Sequence, residues 1–269
     1  MTSKKVLLID SHNLMHRARF GFGSGPHKIY FNFFRMLMGE LKNHQSGLVY
    51  IVDEGKPVQS IVLLDSYKAN RTNKPPEDFY REKDEIFETI KQLSGFVYIK
   101  HPRYECDDVI GYLATKVHAE DQVVIVSTDS DFIQLISDRV GLWHPKKKKF
   151  LEPWHTDYIT WKSLKGDSAD NVPGVAGVGA KRADVLSASP EALNEFLDAK
   201  PERRQQFEVA RQVITLKDVE ESDLICIQSD FAADSLKEEF TKRNCKSIIG
   251  KAWPKWIDQF TAAGGKYAV

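Results

Sequence analysis

The sequence predicts an α/β protein, and three observations lead there. Short apolar runs rich in β-branched residues recur at Val6-Leu7-Leu8-Ile9, Leu48-Val49-Tyr50-Ile51-Val52 and Val123-Val124-Ile125-Val126, each of a length that suits a buried strand. Between them lie stretches with apolar residues at helical spacing, such as Phe33, Phe34, Leu37, Met38 and Leu41. Each run is also followed by an aspartate: Asp10, Asp53 and, past Ser127-Thr128, Asp129. One such residue is ordinary turn chemistry. Three at the C-terminal ends of strands, where open α/β sheets bind ligands, ask for a cation.

Composition narrows the class. The chain has 269 residues, 42% hydrophobic and 28% charged, enough for one large domain or two small ones. Net charge is +0 and the pI about 7.1, so no global basic field marks a nucleic-acid binder, although local acids can offset basic patches. Cys106, Cys226 and Cys245 match neither a disulfide framework nor a zinc spacing, and a reducing cytoplasm fits them. Val6-Leu7-Leu8-Ile9 is too short for a signal segment, and no apolar run suits a membrane span.

Taken in order, Lys4 and Lys5 lead into the first strand, and Asn13, Arg17 and Phe20 follow in a loop entering a helix. Residues 21–26 are a glycine-rich break. After the second strand come Tyr67-Lys68-Ala69-Asn70-Arg71 and an exposed loop marked by Pro75-Pro76, then a charged helix over about 79–93. Tyr104-Glu105-Cys106-Asp107-Asp108 opens a helix whose apolar face is Val109, Leu113 and Val117. Acids in a first helical turn commonly serve only the helix dipole, so this group gains meaning from Asp129 and Asp131 downstream. Lys146-Lys147-Lys148-Lys149 reads as a solvated hairpin tip. Asp167 and Asp170 then stand at i, i+3 spacing, read here as one helical face. Just beyond, Gly174, Gly177 and Gly179 precede Lys181 and Arg182 in a tight turn opening a helix near Ala180. Glycines there let backbone N–H groups approach a phosphate, and a helix N-terminus favours the anion. From Pro190 onward the chain reads as helices, with Trp253 and Trp256 covering a surface.

These stretches together resemble the 5′-nuclease family: phage 5′-exonuclease/flap endonucleases, phage ribonuclease H and the 5′-nuclease domain of bacterial DNA polymerase I. The matches are Leu8-Ile9-Asp10-Ser11-His12-Asn13-Leu14, Val52-Asp53, Tyr67-Lys68-Ala69-Asn70-Arg71, Tyr104-Glu105-Cys106-Asp107-Asp108, the run from Ser127 through Leu135, and that from Gly166 through Val175, in family order over about 4–185. The resemblance implies a PIN-like α/β core, a parallel sheet with helices on both faces, over 1–155. It carries a helical arch around 67–93. A helical DNA-binding part over 156–269 would hold a helix–three-turn–helix at 166–186.

By position, the resemblance makes Asp10, Asp53, Glu105, Asp107 and Asp108 ligands of one divalent ion and Asp129, Asp131, Asp167 and Asp170 those of a second. The ions would be Mg²⁺, with Mn²⁺ able to substitute. Tyr67, Lys68 and Arg71 would act at the base of the arch, and Arg17 and Lys162 would approach the substrate phosphate. Residues 174–183 would grip duplex backbone, with K⁺ at the hairpin. The implied activity is hydrolysis of phosphodiesters near 5′ ends of DNA, as 5′-3′ exonuclease and flap endonuclease. RNA–DNA hybrids and replication proteins are further partners, and a monomer in the cytoplasm of a bacterial or phage-infected cell is expected. Two alternatives stand beside it. A PIN-type endoribonuclease shares the strand-end acids but would lack Lys68, Arg71 and the hairpin with Asp167 and Asp170. A non-catalytic helix-hairpin-helix DNA-binding protein would have no use for nine carboxylates, which are costly beside phosphates without metals.

Overall fold

A computed structural model describes residues 4–155 and 157–266; residues 1–3, 156 and 267–269, at the limits of the two expected units, lie outside the described residues. The first half alternates strands and helices: β1 (Lys5–Asp10), α1 (Ser11–Arg19), α2 (Lys28–His44), β2 (Leu48–Val52), α3 (Val58–Leu63), α4 (Glu77–Leu93) and β3 (Val97–Lys100). It continues through α5 (Cys106–Tyr112), β4 (Gln122–Val126), β5 (Val140–His144) and β6 (Lys149–Phe150). The second half contains α6 (Tyr158–Lys165), β7 (Gly166–Asp167), β8 (Val172–Pro173), α7 (Ala180–Ser187), α8 (Pro190–Asp198) and α9 (Pro201–Ile214). Then come β9 (Ile225–Gln228), α10 (Ala233–Lys242), α11 (Lys246–Ile249) and α12 (Trp253–Ala263).

Seven strands form one mixed sheet in the order β6-β5-β4-β1-β2-β3-β9, parallel except for the antiparallel edges β6 and β9. Alternation along the strands divides the core. Leu7, Ile9, Val49 and Ile51 face a cluster with α1, α2, α4, α10 and α12, while Val6, Leu8, Tyr50 and Val52 face α5. Helices thus cover both faces, as a buried parallel sheet requires. Phe33, Phe34 and Leu37 of α2 are fully buried, each stabilising the fold by about 1.5–3 kcal/mol through area removed from water.

Register positions the site. Asp10 is level with Val52 of β2, and Ile9 with Val126 of β4. Asp53 and residues 127–129 therefore leave the sheet at the same edge as Asp10. The chain passes from β1 to β2 on one side while β4 adds on the other, so this edge is a topological switch point.

Three expectations need amendment. The chain after Pro190 is not all helical: β9 pairs antiparallel with β3, Ile227 opposite Tyr98. A four-residue strand bordered by Glu220, Glu221, Asp223 and Asp230 has too little local pattern to announce itself. Trp253 and Trp256 do not cover a surface; they are buried against Phe240 and Phe260. Asp167 and Asp170 share no helix: Asp167 ends β7 and Asp170 lies in the turn before β8. Gly174 permits this hairpin to close, because a Cβ there would sit 2.4 Å from the Lys165 carbonyl.

The two expected halves pack as follows. Residues 158–214 gather around one cluster of their own, with Leu164, Val175, Phe196 and Phe207, and share a second, Val172, Ala210 and Ile214, with Tyr67 and Leu64 of the first half. Residues 225–263 return to the first sheet. Within 67–93, residues 71–76 are without helix, and α4 lies with Phe79, Ile86 and Ile90 in the core.

Candidate metal centre

Each acid reaches the sheet edge by its own local device. Asp10 caps α1, accepting the Asn13 N–H at 2.9 Å, while Ser127 Oγ donates to its other oxygen at 2.7 Å. Glu105 caps α5, and its N–H donates to Asp108 Oδ2 at 3.4 Å. Asp108 Oδ1 accepts the Lys217 N–H at 2.7 Å, and Asp107 Oδ1 the Asp108 N–H at 2.9 Å. Asp131 opens a 3-10 turn after β4, and its N–H donates to Asp129 Oδ1 at 2.9 Å. The hairpin carrying Asp167 and Asp170 is tied to the 64–71 turn, since Lys68 N–H donates to Asp170 O at 2.9 Å and Asn171 Nδ2 to Ser66 O at 2.7 Å.

Two groups of carboxylates result. Ligand oxygens of Glu105, Asp107 and Asp108 lie within 4.8 Å of one another, as do those of Asp131, Asp167 and Asp170. An all-oxygen donor set of this charge suits hard divalent ions such as Mg²⁺. Protein cations already stand at several of these oxygens. Lys68, with φ of 56°, pairs with Glu105 and lies 3.7 Å from Asp170, which Arg71 also holds. Lys162 joins Asp131 to Asp167, 2.7 Å from the latter. Tyr67 OH donates to Glu105 Oε2 at 2.9 Å.

The proton affinities register this crowding. Burial, then Asp108 and Glu105, push the Asp107 carboxyl well up. Burial raises Asp108 to about 6, and burial with Asp129 and Asp167 raises Asp131 to about 6 against the pull of Lys162. Burial also raises Asp10. At Asp167 burial is outweighed by Lys162, and its carboxyl is held below the usual range. Burial works against charge on Lys68 and Lys162, but their acidic neighbours hold both ammonium groups above the usual lysine range.

Asp10, Glu105, Asp107 and Asp129 line one cavity of about 280 Å³ together with Lys68 and Arg71. Asp53 lies beside that cavity rather than on it. It is 2% exposed, and its Oδ2 accepts Tyr98 OH at 2.8 Å and Lys100 Nζ at 3.0 Å. Lys83 Nζ and His12 Nε2 stand 3.2 and 3.5 Å from Oδ1. Burial pushes the Asp53 carboxyl up, but these cations and His12 hold it far below the usual range. Glu54, the first residue of the stretch 54–57 that departs from the family pattern, lines the cavity instead and accepts the Cys106 N–H at 3.1 Å. Two adjacent acids after a buried strand point to different sides, and that doublet was the available signal. His12 and Asn13, within the matching stretch around Asp10 but given no role there, also line the cavity, as does His16, which had no sequence signal.

The expected phosphate contacts divide in two. Arg17 is half-buried on α1, its guanidinium pushed down by burial against the pull of Glu40 and Asp10. Gly177, with φ of +79°, and Gly179, the N-cap of α7, are exposed, and a Cβ at either meets open space. Lys181 and Arg182 are exposed beside them, Arg182 lying over the Phe196 ring at 4.4 Å. Gly174 is spent on closing the hairpin. Among the described residues no helix is long and apolar enough to cross a membrane.

Residues 5–160 match the family described as "5′-3′ exonuclease, N-terminal resolvase-like domain". The thermostable DNA polymerase I of Thermus aquaticus is 33% identical over 222 residues, 76% of this chain and 26% of that protein. The corresponding enzyme of Thermus filiformis is 34% identical over 72% of this chain and 25% of its own length. This chain thus spans about a quarter of those polymerases. A 5′-3′ exonuclease of Mycoplasmopsis pulmonis is 29% identical over 73% of this chain and 70% of its own length. In fold, the chain is similar to the T5 D15 protein co-crystallised with metal ions, with a TM-score of 0.66 at 19% identity, covering 96% of this chain and 100% of that one. It is also similar to the catalytic core of Rad2 in complex with DNA substrate, with a TM-score of 0.55 at 13% identity, covering 96% and 91%.

Proposed function

The chain belongs to the 5′-3′ exonuclease family, and on that premise we propose that it is a divalent-metal-dependent 5′ nuclease. It hydrolyses phosphodiesters near the 5′ ends of DNA, as a 5′-3′ exonuclease and flap endonuclease. The observation that carries this reading is Lys68, which touches both acidic groups at once, through Glu105 and Asp170. One cationic residue is thereby poised where a phosphate between two ions would lie.

Two Mg²⁺ ions, with Mn²⁺ able to substitute, supply the Lewis acidity that phosphodiester hydrolysis needs. Asp10, Glu105, Asp107 and Asp108 hold the first, with Asp53 or its neighbour Glu54; Asp129, Asp131, Asp167 and Asp170 hold the second. Lys68 and Arg71, once freed from their carboxylates, neutralise charge growing on the phosphoryl group. Tyr67 fixes Glu105 by its hydrogen bond, and Arg17 and Lys162 approach the phosphate. The exposed turn at Gly177 and Gly179, with Lys181 and Arg182 and a K⁺ ion, grips duplex backbone without reading bases, and Gly174 closes the hairpin behind it. Residues 1–155 act as a PIN-like catalytic core with its arch around 67–93, and 156–269 as the DNA-binding part. The protein works as a monomer in the cytoplasm of a bacterial or phage-infected cell, on DNA flaps and RNA–DNA hybrids, alongside replication proteins.

Incubation of a 5′-labelled flap in Mg²⁺ and in EDTA tests this. Release of short labelled 5′ products in Mg²⁺ alone is expected. An intact flap after incubation in Mg²⁺ or Mn²⁺ overturns the proposal, and preferential cutting of single-stranded RNA would favour a PIN-type endoribonuclease.

A further inference from the structure

Beyond the second acidic group lies a separate cavity of about 260 Å³, lined by Trp154, Tyr158, Trp161 and Lys165 and reaching Asp167. Sites for drug-sized ligands run to about 300–1,000 Å³; this one is sized for a single planar ring system. The Trp161 and Tyr158 walls are anchored by hydrogen bonds. Trp161 Nε1 donates to Asp184 Oδ1 at 2.7 Å, and its ring stacks on His155 at 4.3 Å with 20° between planes. Lys165 Nζ lies 4.8 Å from the same ring. Tyr158 OH donates to Asp131 Oδ1 at 3.1 Å, so the aromatic wall is anchored to an acid of the second group. Trp154 meets Tyr158 edge to face at 5.9 Å and keeps 52% of its surface exposed.

Rigid aromatic rings interleaved with lysines are what a stacking platform for unpaired nucleic acid consists of, because every base has a π-face and every nucleotide a phosphate. We propose that this cavity is a base-stacking subsite, in which an unpaired nucleobase near the phosphate held between the acidic groups lies against Trp154. Lys165 meets the phosphate of that nucleotide. Stacking on Trp154 is tolerant of base identity, and outside its aromatic rings the cavity is polar, with Ser130, Lys162 and Ser168 beside Lys165 and Asp167. The inference rests on the nuclease reading for the strand's presence, but its test does not require cleavage.

Affinity is measured with Ca²⁺, an oxygen-ligated divalent ion, in place of Mg²⁺ for a fluorescent flap substrate with single abasic positions moved stepwise across the junction. Wild type is expected to lose about tenfold in affinity at one abasic position, the usual scale of one stacked base. Trp154→Ala should lose about tenfold on the intact substrate and nothing further at that position, and Trp154→Phe should recover most of the loss. Equal affinity of Trp154→Ala and wild type for the intact substrate, or losses that add at every abasic position, overturn the subsite. Cleavage of the same flap in Mg²⁺ is scored separately. A wild type that binds but does not cut contradicts the nuclease reading, while the abasic comparison still judges the subsite. A protein that neither binds nor cuts overturns both.

Discussion

Asp131, Asp167 and Asp170 have Lys162 and Arg71 seated among them, whereas Asp107 and Asp108 make no ion pair among the described residues and feel the charges of Lys68 and Lys217 without direct contact. The side chains are all carboxylates, and in both groups their oxygens lie within 4.8 Å of one another. What differs is the neighbour. Lys162 and Arg71 satisfy the second group from within the protein, so a divalent ion arriving there competes with a lysine. The first group has Lys68 at Glu105 and no such partner at Asp107 and Asp108, which burial raises; in the second group burial raises Asp131 as well, and it is Asp167 that Lys162 holds low. Buried charges must be paired, and the two groups meet that requirement by different routes.

The largest effects should come from breaking either group. Asp107→Asn and Asp131→Asn are each expected to lower flap cleavage in Mg²⁺ by about a thousand-fold or more, the loss of several kcal/mol of metal-borne stabilisation. Substrate affinity, carried by the hairpin, should persist. Single-turnover cleavage alongside a binding titration checks this, and near-normal turnover in either variant would remove that group from catalysis. Next in size is Lys68, which joins the groups. Lys68→Ala should slow single-turnover cleavage by roughly a hundred-fold, by analogy with loss of a donor worth about 2.7–4 kcal/mol in the transition state. A drop in affinity alone would make Lys68 a binding residue.

A smaller effect distinguishes protons from metal. Asp108 and Asp131 are raised to about 6 by burial and neighbouring charge, so the fold binds their protons more tightly than the unfolded chain does. Their stabilising contribution is complete below the unfolded carboxyl range and is lost as pH rises through about 6. In EDTA the melting midpoint should therefore fall by several degrees between pH 5 and pH 7. Mg²⁺ should restore it at pH 7, where at about a hundred times its dissociation constant one ion adds roughly 2.7 kcal/mol. A midpoint that is flat over this range in EDTA would mean that the raised carboxyls contribute no net stability, and a rising one that they are outweighed by His16 and His144, whose rings burial holds below the usual histidine range.

The sheet edge was legible in the sequence because its signals are local. Apolar β-branched runs followed by Asp10, Asp53 and Asp129 state both strand and site. Glu105, Asp107 and Asp108 were legible as a helix start carrying excess charge. The roles of Asp53 and Glu54 were not, because which of two adjacent acids faces the cavity depends on Lys83 from α4 and Lys100 from β3, brought in by tertiary packing. The Asp167 and Asp170 pair was visible but its geometry was misread. Spacing of three suits a helix, and only the closing of the hairpin on Gly174 shows that a turn delivers both. β9 left no local pattern, because it arises from pairing with β3 across more than a hundred residues; the aromatic cavity is local to 154–168 apart from Ser130, but its Trp and Tyr residues read equally as a packed helical face.

The contrast between the two groups is tested most directly by melting Asp107→Asn and Asp167→Asn in EDTA at pH 7. Asp107→Asn removes one charge from a crowd while keeping the oxygen that accepts the Asp108 N–H. Asp167→Asn keeps the oxygen that accepts the Ala169 N–H but removes a partner of Lys162. Asp107→Asn should melt above wild type and Asp167→Asn below it, each by about 2–4 °C for a change near 1 kcal/mol in a chain of this size. If both melt below wild type, the first group is held together by its carboxylates as firmly as the second, and the distinction between them is wrong.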